Sequence, residues 1–250
     1  MKKKISIILP NFNSQKYIKQ TIQSILNQSF KLWELIIVDD CSNSETKNIL
    51  KNYKKNKKIK IFYLNKNKGA AFCRNFAIKK AQSEYLAFID SDDVWKKNKL
   101  KNQINFMKRN NFLFTYTNYE TFGKKIKKIY NPPKLNYSNF IKNTSIATST
   151  MMIKREEIKN IKFINSKICE DYYFKCKLLK KVKFAYCLKK ILTKYRIRNK
   201  SLQSSNIRNF YWIWKINKDY NNLNFFENFI SLFFISLNSI KKYGGKNIFN

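Results

Sequence analysis

The sequence contains no histidine and only four glycines among its 250 residues. Without an imidazole, the chain cannot form a Ser-His-Asp or Cys-His catalytic arrangement, an HExxH protease site or a Cys/His zinc finger. The glycines stand at positions 69, 123, 244 and 245, and this spacing forms neither a GxGxxG motif nor a P-loop. These classes of enzyme and of phosphate-binding protein are therefore excluded.

The sequence also has no apolar run of the ~20 residues that span a bilayer. The run from Ile5 to Leu9 ends at Pro10, too early for the core of a signal peptide, and the longest later run covers Phe229 to Leu237. The five cysteines, at positions 41, 73, 169, 176 and 187, form no CxxC pair, which predicts free thiols in a reducing compartment. We expect a cytoplasmic protein that is soluble or peripheral at the inner face of the cell membrane.

Acidic residues are scarce: 15 Asp and Glu stand against 52 Lys and Arg, for a formal net charge of +37. A charge of this size attracts anionic partners, among them nucleotides, nucleic acids and acidic membranes. The lysines run from end to end of the chain instead of collecting in one arm, which argues against a dedicated nucleic-acid site. A basic, non-catalytic protein that binds nucleic acid or another polyanion stays open as the alternative to an enzyme.

Strand and helix patterns alternate four times in about the first ninety residues. This alternation predicts an α/β protein with an open, mostly parallel central sheet flanked by helices. The predicted strands here are Ile5–Leu9, Leu35–Val38, Ile59–Leu64 and Tyr85–Ile89, with a helix from Gly69 to about Ala81 before the last of them. The remaining expectations are a helix over 97–110, a strand over 112–119, a hairpin at Phe122-Gly123, a strand over 150–153, a helix over 170–181, a pair of strands near 184–197, and two amphipathic helices over 207–219 and 224–242.

Polar and acidic side chains follow three of the predicted strands. They are Pro10-Asn11-Phe12, Asp39-Asp40 and the cluster Asp90, Asp92 and Asp93. Since ligands of open α/β sheets bind beyond the carboxyl ends of the strands, we expect all three to face one crevice. Asp90, Asp92 and Asp93 offer hard oxygen ligands to Mg²⁺ or Mn²⁺, which takes further ligands from substrate phosphates. The alternative is that these acids only cap the helix that follows.

Five motifs together resemble the family 2 glycosyltransferases with a GT-A fold, especially bacterial enzymes of surface-polysaccharide and teichuronic acid assembly. In order along the chain they are Ile5–Asn13, Glu34–Asp40, Asn67-Lys68-Gly69 with Arg74-Asn75, Phe88–Asp93, and Glu170-Asp171. The resemblance implies a Rossmann-like GT-A domain over 1–205, with a nucleotide-sugar half (1–95) and an acceptor half (96–205). Residues 206–250 would form a helical C-terminal extension.

The resemblance implies that the segment Pro10-Asn11-Phe12 and the carboxylate of Asp40 hold the nucleotide base. Phe12 offers a ring for stacking and Asp40 an acceptor for the N–H of uracil. For Phe12, ordinary core packing is the alternative, and Asp39 is either a nucleotide ligand or a helix cap. Gly69 belongs to the same nucleotide-sugar set.

Three arginines are candidates for holding the diphosphate. Arg74 can pair with it, although a solvated position on a helix face is the alternative. Arg196 and Arg198 belong to a segment that in the family often ends in His, where Arg198 stands here. An arginine cannot ligate a metal but can neutralise a diphosphate, so a third protein ligand for the ion is in doubt.

Asp171, with Glu170 beside it, matches the acid that serves the family as general base. The resemblance thus implies an inverting transfer from a nucleotide sugar, most simply a UDP-sugar, to a glycan or lipid-linked acceptor. Two acids at a helix start are also favoured by the helix dipole alone, which is the alternative for this pair. A degenerate member that binds nucleotide sugar without turnover is a further alternative.

The last predicted helix carries a phenylalanine-rich face between Phe225 and Leu237, with Lys241 and Lys242 at its end. Such a face either packs on the core or lies on an anionic membrane, where a lipid-linked acceptor would be found. The sequence leaves both readings open.

Overall fold

The computed structural model describes residues 3–123, 126–166, 168–198 and 206–243. Within these residues the strands are β1 (Ile5–Asn11), β2 (Trp33–Asp39), β3 (Ile59–Tyr63), β4 (Tyr85–Phe88), β5 (Val94–Trp95), β6 (Phe114–Gly123), β7 (Lys128–Ile129), β8 (Lys134–Leu135), β9 (Met152–Lys154) and β10 (Ala185–Ile197). The helices are α1 (Ile18–Leu26), α2 (Ser44–Lys51), α3 (Gly69–Lys80), α4 (Lys99–Arg109), α5 (Tyr137–Phe140), α6 (Glu170–Val182), α7 (Asn206–Asp219) and α8 (Phe225–Tyr243).

These strands form one sheet in the order β3-β2-β1-β4-β9-β6-β10-β5, with β7 beside β6 and β8 beside β10. β1, β2, β3 and β4 pair in parallel, and β6 pairs in parallel with β10. β9 runs antiparallel to both β4 and β6 and joins the two parallel groups. The expected α/β fold with a mostly parallel central sheet is confirmed.

Apolar side chains cover both faces of the sheet, which explains the continuous apolar runs of β1 and β2. On one face, Ile8 and Phe88 belong to a core that includes residues of α3 and α6. On the other, Ile7 and Leu9 pack with residues of α1 and α4. Helices therefore cover both faces of the sheet.

β1 does not end at Pro10 as the sequence suggested. The strand continues to Asn11, and the register with β2 pairs Pro10 with Val38 and Asn11 with Asp39. Proline is compatible with extended backbone, and its carbonyl oxygen can still accept a hydrogen bond. The longer strand sets the Asn11 and Asp39 side chains next to each other at the edge.

The predicted pair of strands near 184–197 is wrong: one long strand, β10, runs through this segment. The charged residues Lys189 and Lys190 interrupt the apolar pattern but are exposed at an irregularity in the pairing with β6, between Leu188 and Thr193. A bulge absorbs such residues without ending a strand. The two-residue strand β5, which pairs with β10 near its end, was not predicted. The hairpin after β6 is confirmed, since β7 returns antiparallel to it.

The two C-terminal helices occur as predicted, but the phenylalanines of α8 do not pack on the core. Phe225, Phe226, Phe229, Phe233 and Phe234 are all exposed. The boundary at residue 205 falls in segment 199–205, outside the described residues, and the division into two halves and an extension stays a prediction. In the part of the chain that the structure describes, no helix is both long and apolar enough to cross a bilayer.

Candidate active site

The carboxyl ends of β1 and β2 are tied together by a buried polar network. Asn11 Nδ2 donates to Asp39 Oδ1 at 2.6 Å, and the backbone N–H of Ser42 donates to Asp39 Oδ2 at 3.1 Å. Asp39 is fully buried and shapes the turn after β2. It does not cap α2, because Asn43 accepts the N–H of Thr46 in that role.

Phe12 lies beside this network with its ring turned outward. Its side chain is 49% exposed, whereas Asn11 and Pro10 are buried. The alternative that Phe12 belongs to the core is therefore wrong. The ring offers an open face for stacking at the sheet edge.

Asp40 has a structural role that the sequence analysis missed. Its two carboxylate oxygens accept the backbone N–H groups of Lys68 and Gly69 at 2.7 and 2.8 Å. These groups lie at the N-terminus of α3, where Gly69 adopts a φ of +85°. The side chain of the N-cap residue, Lys68, makes no capping hydrogen bond. The negative charge of Asp40, in the turn after β2, thus stabilises the start of α3. Asp40 itself is buried, with 3% of its surface exposed.

Arg74 of α3 joins two acidic regions. One guanidinium nitrogen donates to Asp90 Oδ1 at 2.7 Å and another to Glu170 Oε1 at 2.6 Å. The side chain is buried, so the alternative of a solvated helix face is wrong, and the pairing of Arg74 with a diphosphate stays a prediction. Burial opposes the charged form, but the carboxylates of Asp90 and Glu170 outweigh it and raise the pKa of Arg74. Arg74 therefore links the end of β4 to the start of α6.

The acidic cluster after β4 is held by arginines from the end of β10. Arg198 forms an ion pair with Asp92 Oδ2, and the backbone N–H of Arg196 donates to Asp93 Oδ1 at 2.8 Å. The Arg196 guanidinium lies over the rings of Tyr17 and Phe122, with its centre 4.4 and 4.1 Å from their centroids. Arg196 and Arg198, two of the candidates for holding the diphosphate, thus contact the acidic cluster.

Burial governs the protonation of this cluster. It raises the pKa of Asp92 even though Arg198 acts in the opposite direction. The pKa of Asp93 is raised well above its usual range by burial, with the Asp92 and Asp90 carboxylates adding to the rise. Asp93 is 1% exposed, and among residues 3–123, 126–166, 168–198 and 206–243 its Oδ2 has no hydrogen-bond partner.

Asp90 and Asp92 fit the magnesium or manganese ion that the acidic cluster predicts. Among the described residues, hydrogen bonds and ion pairs use only Oδ1 of Asp90 and Oδ2 of Asp92. Such ions are often held by one or two carboxylates, and substrate phosphates complete the shell. A group of three or more acids or cysteines placed to hold an ion is not found in the described ranges. Asp93, the most deeply buried of the three, stays a predicted ligand.

At the start of α6, Asp171 is held by residues that the sequence analysis did not single out. Its Oδ2 accepts from the Thr148 hydroxyl and from the ammonium of Lys175, both at 2.6 Å. Burial opposes the ionised form, but Lys175 outweighs it with help from Thr148 and Arg74, and the pKa of Asp171 lies below its usual range. The four-residue spacing of Asp171 and Lys175 on one helix was the available sequence signal.

Four of the five cysteines are poor nucleophiles. Burial raises the pKa of the thiols of Cys73, Cys169, Cys176 and Cys187 to about 12. Since the thiolate is the nucleophile, these side chains are inert at neutral pH.

Solved structures share this arrangement of sheet and helices. TarS of Staphylococcus aureus, in a complex with UDP, superposes with a TM-score of 0.73 at 24% identity over 95% of this chain and 72% of its own. The mannosyltransferase PcManGT of Pyrobaculum calidifontis superposes with a TM-score of 0.70 at 13% identity, over 99% of this chain and 72% of its own. The fold is the GT-A fold of glycosyltransferases.

Sequence comparison gives the family. A family model described as glycosyl transferase family 2 matches residues 6–174. TuaG of Bacillus subtilis, named for teichuronic acid biosynthesis, is 37% identical over 95% of this chain and 96% of its own. The WfgD glucosyltransferase of Escherichia coli is 33% identical over 94% of this chain and 92% of its own. The chain belongs to glycosyl transferase family 2 and is an enzyme of that class, as its motifs indicated.

Proposed function

We propose that the protein moves a sugar from a UDP-sugar to a glycan or lipid-linked acceptor, with inversion, during synthesis of a bacterial surface polysaccharide. The observation that carries the proposal is the Arg74 bridge between Asp90 and Glu170. Through this bridge the acids after β4 lie near Asp171. The acids would bind the donor's diphosphate through a metal ion, and Asp171 would act on the acceptor's hydroxyl. The free thiols fit a reaction in the cytoplasm.

The edge of β1 and β2 is proposed to hold the nucleotide. The exposed ring of Phe12 can stack on uracil. Asp40, which directly follows Asp39, can accept a hydrogen bond from the ring N–H of uracil. Asp40 is fixed by two backbone N–H groups, so little side-chain entropy remains to be lost on binding. In support, TarS has been solved with UDP and with UDP-GlcNAc, and WfgD is named for UDP-Glc.

Asp90 and Asp92 would hold Mg²⁺ or Mn²⁺, which when bound would neutralise part of the charge on the leaving diphosphate. Arg198 pairs with Asp92 in the position where the family often has His. Its guanidinium can turn to the diphosphate as the donor arrives, because the Arg198 side chain is 39% exposed. Arg196, fixed between Tyr17 and Phe122, keeps the acids in place.

Asp171 is proposed to take the proton of the acceptor hydroxyl as that oxygen attacks the anomeric carbon. Thr148 and Lys175 both bond Oδ2, so Oδ1 is the oxygen proposed to accept the proton. The lowered pKa keeps the carboxylate ionised at neutral pH, at the cost of a weaker base. A single displacement of this kind inverts the anomeric centre.

A donor screen with metal, read by release of UDP, tests the proposal. We expect UDP release to require a divalent ion and to accelerate with an acceptor such as a sugar-diphosphate lipid. UDP binding without transfer to any acceptor would favour a degenerate, binding-only member. Steeply salt-dependent binding to random DNA without metal-dependent UDP binding would favour the polyanion-binding alternative.

A further inference from the structure

The outward face of α8 is apolar from one end of the helix to the other. Its large exposed hydrophobic residues have 38–75% of their surface accessible. They are Phe225, Phe226, Phe229, Ile230, Phe233, Phe234, Leu237 and Ile240. A soluble protein rarely exposes a contiguous patch of this kind unless it serves an interaction.

The opposite face of the helix packs on the protein through both polar and apolar side chains. Asn228 and Ser231 are fully buried and Ile235 is nearly so. Ser231 donates to the carbonyl of Ile141, and Asn238 donates to the carbonyl of Lys142. With 3.6 residues per turn, these positions lie across the helix from Phe226 and Phe233. The helix is therefore fixed by these polar contacts together with Ile235 and Leu232, which pack into the core. On the apolar face the ring of Phe225 contacts Trp214, and the face as a whole stays exposed.

Lysines border this apolar face. The ammonium of Lys142 lies 5.7 Å from the centroid of the Phe234 ring. Beside the C-terminal part of α8, a cleft of about 490 Å³ is lined by Lys127, Lys128 and Lys241, together with asparagine, serine, tyrosine and apolar residues but no acid. An apolar strip with a cationic border suits the boundary between acyl chains and anionic headgroups.

We infer that α8 docks in the plane of an anionic lipid bilayer, with its phenylalanine face in the acyl boundary and the bordering lysines among the headgroup phosphates. A second copy of the chain fits this surface poorly. A two-fold contact through α8 would bring two lysine borders together on molecules that each carry a net charge of +37. Docking requires no donor or acceptor, so it is testable apart from the transfer reaction.

Cosedimentation with vesicles tests the docking. We expect the full-length protein to bind vesicles of phosphatidylglycerol and phosphatidylcholine at low salt, and to bind phosphatidylcholine alone far less. Phe226→Ser/Phe233→Ser should reduce partitioning by about tenfold or more, because two inserted rings are lost. Phe12→Ser is the matched control for vesicle binding, since Phe12 is 49% exposed but lies directly after β1, outside α8 and its lysine border. Its partitioning should be unchanged.

The lysines have a matched control at the far edge of the sheet. Lys127→Gln/Lys128→Gln should weaken binding and flatten its salt dependence more than Lys55→Gln/Lys57→Gln, in the exposed turn before β3. In Phe233→Trp, the added indole should shift its emission to the blue on anionic vesicles. Vesicle binding that is unchanged in Phe226→Ser/Phe233→Ser would overturn the inference. A dimer in solution that dissociates in the same variant would also overturn it.

Discussion

The site has two acidic regions, at the end of β4 and at the start of α6. Each contains a largely buried aspartate paired with a basic side chain, but the pKa of the aspartate is shifted in opposite directions. Asp92 is paired with Arg198 and Asp171 with Lys175, and both carboxylates are largely buried. Burial prevails at Asp92 and raises its pKa, whereas Lys175, Thr148 and Arg74 prevail at Asp171 and lower its pKa.

The neighbours explain the difference. Asp92 stands next to two further acids, and a second charge in such a cluster disfavours ionisation. A cation brought to this cluster would relieve that repulsion, which suits a site for metal and diphosphate. Asp171 has cations and a hydroxyl around it, so it is ionised without any ligand, as a general base must be.

Asp171→Asn should give the largest effect. The variant keeps the shape of the side chain but loses its basicity, so turnover should fall by ~10²–10⁴-fold while UDP affinity stays nearly unchanged. Turnover is measured by UDP release and affinity by titration calorimetry. Glu156→Gln, at an exposed acid, is the control and should be silent. Near-normal turnover in Asp171→Asn would show that another group takes the proton.

Asp92→Asn should instead damage donor binding. Loss of one of two carboxylate ligands should weaken UDP binding with Mn²⁺ by about ten- to hundredfold and lower turnover with it. EDTA should have the same effect on the unaltered protein. Calorimetry that finds equal UDP affinity with and without metal would contradict the roles assigned to Asp90 and Asp92.

Arg198→His should strengthen metal binding, whereas Asp92→Asn should weaken it. The substitution frees Asp92 from its ion pair and supplies an imidazole that can ligate a metal. We expect the Mn²⁺ concentration needed for half-maximal UDP binding to fall by roughly tenfold. Arg198→Gln frees Asp92 without adding a ligand and is the control. An unchanged metal requirement in Arg198→His would mean that residue 198 lies outside the metal's reach.

Lys175→Met should have the smallest effect on rate at neutral pH but should change the pH profile. The pKa of Asp171 is lowered in the folded protein, so the stability it contributes is present above the ordinary aspartate pKa of ~3.9 and is lost as pH falls below that value. Removing Lys175 leaves burial less opposed and raises the pKa of Asp171. We expect an acid limb in the kcat profile that the unaltered protein lacks above about pH 5.

Two variants separate this effect from damage to the fold. Lys175→Arg keeps the cation and should restore the profile, and Lys177→Met, on the same helix, should not change it. Breaking a buried ion pair costs about 3 kcal/mol, so thermal unfolding of Lys175→Met is measured alongside. An identical pH profile in Lys175→Met would mean that Asp171 does not control the rate.

The fold was predictable where the sequence alternates regularly. The apolar runs of β1 to β4 and the helices between them follow from side-chain burial on both faces of a parallel sheet. β10 was not predictable as one strand, because Lys189 and Lys190 interrupt its pattern and only pairing with β6 extends it through them. β5 is two residues long and exists only through its pairing with β10.

The strand ends predicted the polar residues after β1, β2 and β4, and the family resemblance added Arg74 and Asp171, but neither predicted which side chains would contact them. Asp40 capping α3, Arg198 holding Asp92 and Thr148 holding Asp171 join residues distant in sequence. A sequence pattern indicates the periodicity within one helix or strand, but it does not indicate which helices and strands contact each other. Local spacing could have revealed only the Asp171–Lys175 pair.

The anomeric configuration of the product tests the account most directly. With an α-linked UDP-sugar as donor, NMR of the isolated product should show a β linkage, because the proposed reaction is one displacement at the anomeric carbon. A product that retains the α configuration would contradict the proposed role of Asp171, even with the fold and the family unchanged.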